Sequence, residues 1–234
     1  MFQPNASVRG YGSIGKSYVD ERAAFIVKTY NHLFGAMALF ALIEVGLFTS
    51  GIADAIAAAM LGHSWLLVMG GFMVVGWLAS HTAHTARSLG AQYAALAGYV
   101  FAEAIVFVPL LFIANQVAPG AIKSAAVVTL LGFGGLTAVA FTTKKDFSFL
   151  GGFLRWGGIM ALVLIAAGVI FGFNLGTFFS VAMVGFAGAA ILFDTSNVMR
   201  EFPTDRYVAA SLQLFASVAL MFWYVLRIFI SSRD

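Results

Sequence analysis

Two neighbouring runs decide the fold: Thr177–Met199, TFFSVAMVGFAGAAILFDTSNVM, and Tyr207–Ile230, YVAASLQLFASVALMFWYVLRIFI. At about 1.5 Å per residue, each is long enough as a helix to cross a hydrocarbon core of roughly 30 Å. The first holds one carboxylate, Asp194, near its end, and the second holds no charge before Arg227. An acid inside such a run costs about 2.5–3.5 kcal/mol on insertion scales, so it faces a cavity or a partner rather than lipid. Asp194 is therefore the first residue to explain.

Working outward, runs of this length recur at roughly 30–50, 65–83, 92–114, 121–142, 150–172, 176–199 and 207–230. Seven spans in one short-looped domain (29–234) follow a polar segment, residues 1–28, that lacks the apolar core of a signal peptide. The first span is then an uncleaved anchor. The residues between the first two spans, 51–64, read as a short surface helix or a disordered turn. Composition agrees with a membrane protein: 61% of the 234 residues are hydrophobic and 10% charged, against about 25% charged in a soluble domain. The formal charge of +3 does not signal nucleic acid, because the basic residues lie in separate short loops rather than on one face. Without a cysteine, disulfides, thiolate nucleophiles and Cys-ligated metals are excluded.

Basic residues set the orientation, since cytoplasmic loops hold their excess. With the N-terminus inside, Arg9, Lys16, Arg22, Lys28, Arg87, Lys144, Lys145, Arg155, Arg200 and Arg206 are cytoplasmic and Lys123, Arg227 and Arg233 lie outside. That split predicts an inside N-terminus and an outside C-terminus. A re-entrant last span would instead put both termini inside.

Three carboxylates fall inside spans: Glu44, Glu103 and Asp194. Without a cation at their depth, each keeps its proton or holds an ion. For Glu44, a hydrogen bond to a neighbouring helix competes with a functional role. Glu103 has Tyr99 one turn before it and Pro109 after it; the proline frees a carbonyl near residue 105. Asp194 is followed by Thr195, Ser196 and Asn197, an oxygen-rich group of the kind that suits calcium. Gln213, Ser217 and Tyr224 share one face of the last helix, and Gln213 lies at the depth of Asp194. His81 and His84 could share a metal from one helix face, but their place at a membrane boundary reads as interfacial. The four-apart glycines Gly168, Gly172 and Gly176, and the group Gly151, Gly152, Gly157 and Gly158, suggest close helix packing. No nucleophile with a positioned base, no phosphate loop and no paired catalytic carboxylates are found, which argues against an enzyme and against a bound cofactor.

The segments KTYNHLFGAMALF (28–40), FTTKKDFSFLGGFL (141–154), ILFDTSNVMREFPTDRYVAASLQLF (191–215) and YVLRIF (224–229) together resemble the Bax inhibitor-1 family, also called the transmembrane Bax inhibitor motif or lifeguard family. The resemblance implies an all-α bundle of seven transmembrane helices, the seventh central and surrounded by the other six. It implies a pH-sensitive calcium leak closed by two aspartates in the sixth and seventh spans, with an arginine latch. Asp194 matches the first aspartate, Ser217 stands where the second belongs, and Arg87 lies near the latch position; Glu103 is the candidate for the missing charge. Bacterial relatives imply an inner-membrane location. They also imply a second reading, a regulator that binds a membrane protease or another membrane protein through residues 1–28.

Overall fold

A computed structural model describes residues 7–62, 65–143 and 145–232. Eight helices follow one another: α1 Ser7–Thr49, α2 Ile52–Leu61, α3 Trp65–Thr85, α4 Leu89–Val117, α5 Ala121–Thr143, α6 Leu150–Phe171, α7 Gly176–Arg200 and α8 Tyr207–Ser231. All but the ten-residue α2 are long and apolar enough to cross a membrane. The chain is an integral membrane protein. Helices are what such a sequence must form, because in lipid each backbone N–H and C=O has to be satisfied within its own segment.

The first helix is longer than its apolar run. It starts within the polar N-terminal segment and continues unbroken through Thr49. Segment 51–64 contains a helix, α2, whose Ala53 and Ala57 are buried in a cluster with Val108 of α4. His63 and Ser64 lie outside the described residues.

Hydropathy brings all seven long helices into the bilayer, but side-chain size and polarity sort them once there. Between lipid and helix there is no hydrophobic gain, so close packing and hydrogen bonds hold the bundle. The last helix, α8, carries small residues at Ala209, Ala210, Ser211, Ser217 and Ala219, all buried, and five of the other spans, α7, α1, α5, α4 and α3, pack directly on it. The Ser211 hydroxyl reaches across to the Thr29 carbonyl of α1 at 2.9 Å. By contrast α6 lies over α7 and α3, and Ala161 is its one buried residue. Bulky groups such as Trp156, Ile159, Ile170 and Phe171 point outward from it.

The glycines do two different jobs. At Gly157 an added Cβ would sit 2.9 Å from the Phe186 ring of α7, and at Gly151 3.0 Å from Phe193, so here α6 and α7 approach through the missing side chains. The expected packing stripe of Gly168, Gly172 and Gly176 is not one. Gly172 and Gly176 have φ of +72° and +65° and shape the turn between α6 and α7, a conformation glycine adopts without steric cost.

The bundle has a basic end, where α1 enters and α7 and α8 are joined, and an opposite end, where α6 turns into α7 and α8 finishes. The last helix, α8, runs without a break from Tyr207 to Ser231.

Candidate functional site

Asp194 and Gln213 each lie six residues from the α7–α8 turn, 200 − 194 on one helix and 213 − 207 on the other, or about 9 Å from it at 1.5 Å per residue. The antiparallel pairing sets them face to face. Gln213 Nε2 donates to Asp194 Oδ1 at 2.6 Å, and Ser217 Oγ, one turn further along α8, donates to Oδ2 at 2.5 Å. The carboxylate is 4% exposed, so both donors act in a medium of low dielectric, where such bonds are stronger than in water.

Of the three residues after Asp194, Thr195 and Ser196 turn their hydroxyls to other elements. Tyr30 of α1 donates to Thr195 Oγ1 at 3.5 Å, and the Phe147 amide of the α5–α6 connection donates to Ser196 Oγ at 3.2 Å. The Asn197 carbonyl accepts the Glu201 amide at 2.8 Å as α7 ends. Adjacent helical positions point 100° apart, so a polar run in sequence becomes a fan in space. Asp194 thus keeps one carboxylate and two donors, which is not a cage for resident calcium with its six to eight oxygens. Among the described residues no three of His, Cys, Asp and Glu come together as a metal group. His81 stacks on Trp77 with ring centres 5.4 Å apart, and His84 bonds the Ser80 carbonyl at 2.8 Å; both are exposed.

Arg87 is exposed on the α3–α4 turn and does not hold Asp194. Two other arginines brace this end. Arg22 of α1 donates to the Phe202 carbonyl at 2.6 Å, with Val198 O at 3.5 Å, and Arg206 donates to the Ala86 carbonyl at 2.6 Å. Each places a cation on carbonyls at the C-terminal end of a helix, where the dipole favours it. Sequence reading counts both as topology charges, since a guanidinium reaching a carbonyl 180 or 120 residues away leaves no local signal.

Toward the opposite end, a cavity of about 870 Å³ opens between α3, α4, α6, α7 and α8. Arg227 and the α6–α7 turn at Phe173 and Asn174 line it at the end where α8 finishes, and Glu103 and Ser217 line it nearer the middle of α4 and α8. Ser217 therefore has one side on the cavity and its hydroxyl on Asp194. Glu103 is 7% exposed; Tyr99 hydrogen-bonds it, but its Oε2 has no partner. Glu44 is also buried, with neither oxygen bonded, so the expected hydrogen bond to a neighbouring helix is not made among the described residues.

The family model described as "Inhibitor of apoptosis-promoting Bax1" matches residues 22–234. The chain belongs to the Bax inhibitor-1 family. A protein of Pseudomonas aeruginosa is 35% identical over 109 residues, which is 46% of this chain and 49% of that one. Bax inhibitor 1 of Schizosaccharomyces pombe is 36% identical over 112 residues, 46% and 41% of the two chains. The Escherichia coli protein named "Modulator of FtsH protease YccA" is 34% identical over 108 residues, 45% and 49% of the two. The matched stretch spans about half the length of these relatives.

Proposed function

We propose that this protein is a pH-sensitive cation leak of a bacterial inner membrane, with the basic end cytoplasmic and Asp194 at its closed gate. One observation carries the reading: Ser217 lines the cavity and its hydroxyl is bonded to Asp194. A cation entering the cavity meets Glu103 on the way and then a bonded carboxylate. To pass, it must replace Ser217 and Gln213 on Asp194, contributing its own charge to the two oxygens. A proton on the same oxygens removes that attraction and rearranges both bonds, which couples passage to pH. Arg227 in the cavity lining slows cation entry, in keeping with a leak rather than a high-conductance channel. Calcium is the cation we propose as cargo, with no resident cofactor and no catalysis. The test is flux into liposomes with a calcium dye across a pH series. Asp194→Asn should flatten the pH dependence; flux and pH dependence equal to those of the unaltered protein would end this reading.

A second reading is favoured by the name of the Escherichia coli relative, a modulator of a membrane protease. Here the chain binds such a protease through residues 1–28 and carries no flux of its own. Pull-down from membranes with and without those residues separates the two. Partner loss with flux intact assigns the leak and the contact to different parts of the chain.

A further inference from the structure

The cavity holds more than a route to Asp194. Its lining on α8 extends from Ala216 to Arg227, eleven residues, or about 16 Å of helix. That length accommodates a small organic molecule, and a volume of about 870 Å³ is within the usual range of ligand pockets, about 300–1,000 Å³. Its walls are mostly apolar, with Phe72, Trp223 and Tyr224 among them. Within it Glu103 is more than nine-tenths buried, bonded by Tyr99, and left with Oε2 unpartnered. Among the described residues no ion pair joins Glu103 to Arg227; the Arg227 guanidinium instead lies 5.9 Å from the Tyr224 ring centre.

We infer that this cavity binds a lipophilic ammonium cation, its charge on Glu103 and its apolar body against the aromatic wall. An ammonium supplies hydrogen-bond donors and no acceptor, matching the free carboxylate oxygen, and aromatic faces attract cations where water is scarce. An anion would find only Arg227, already set against the Tyr224 ring, and would meet Glu103 as a like charge, and a neutral molecule would leave the carboxylate without a counter-ion. The inference does not rest on the leak, because binding is read without flux.

The probe is 2-phenylethylammonium, titrated by saturation-transfer NMR into the full chain in nanodiscs, with empty nanodiscs as baseline. 2-Phenylethanol and 3-phenylpropionate are the neutral and anionic controls. Saturable binding of the ammonium is expected, weakened roughly tenfold or more by Glu103→Gln, as loss of a charge-assisted bond implies. Ala216→Phe, which fills the cavity and leaves the carboxylate in place, should weaken it too and decides the matter if Glu103→Gln does not fold. Binding no greater than to empty nanodiscs, equal binding of the propionate, or affinity unchanged in the folded variants would overturn the inference.

Discussion

Asp194 and Glu103 are buried to nearly the same degree, 4% and 7% exposed, yet their surroundings are opposite. Asp194 has a donor on each oxygen, both from α8. Glu103 lines the cavity and keeps one buried oxygen, Oε2, unbonded. Burial alone therefore does not tell what an acid does. A carboxylate whose lone pairs are engaged by its own fold ties two helices together, whereas one left open awaits something from outside the chain.

The sharpest way to break this comparison is to replace both acids by leucine. Asp194→Leu orphans the buried Ser217 hydroxyl, at about 1–3 kcal/mol, and the half-buried Gln213 amide, and the thermal midpoint in detergent should drop accordingly. Glu103→Leu removes an under-bonded polar group and should leave stability unchanged or higher, as replacing poorly satisfied buried polar groups often does. Equal destabilisation by the two would erase the distinction between them.

A smaller effect tests whether the closed side depends on its bracing. Arg22→Ala leaves the carbonyls at the end of α7 without their cation and should cost about 1–2 kcal/mol, with the basic end exchanging amide hydrogens faster than the cavity end. Uniform exchange across both ends would show that Arg22 does not brace the gate.

The smallest effect lies in the connection that bonds Ser196. There the Ser148 amide donates to Asp146 Oδ1 at 2.8 Å, and this bond holds the exposed carboxyl below the usual aspartate range. A depressed folded value means that the contribution is complete above the unfolded value of about 3.9 and is lost as pH falls through the folded one. Asp146→Asn should therefore lower stability slightly at neutral pH, and the difference from the unaltered protein should fade as pH drops below about 4. A difference that persists undiminished in acid would mean that the side chain holds the connection by some other contact.

Much of this architecture is legible from residues taken one after another. The seven spans, the three intramembrane acids and the facing depths of Asp194 and Gln213 come from hydropathy and helical periodicity, which depend only on neighbours along the chain. The family likewise shows in short motifs such as FDTSN, residues 193–197. Reading the same run as one oxygen cluster meets a related limit: neighbours in sequence are not neighbours around a helix, and Thr195 and Ser196 bond to other elements.

What only the tertiary structure decided is which spans surround α8, which acid is bonded, and where space is left. Spans α6 and α8 are both apolar and of similar length, yet the first is nearly all outside and the second mostly buried. Hydropathy sums what each residue prefers, lipid or water, and that preference is satisfied equally at the rim and at the centre. The choice between them is made by contacts such as Arg22 with Phe202 and Ser217 with Asp194, each a property of two distant residues held at one distance, which no single stretch of chain contains.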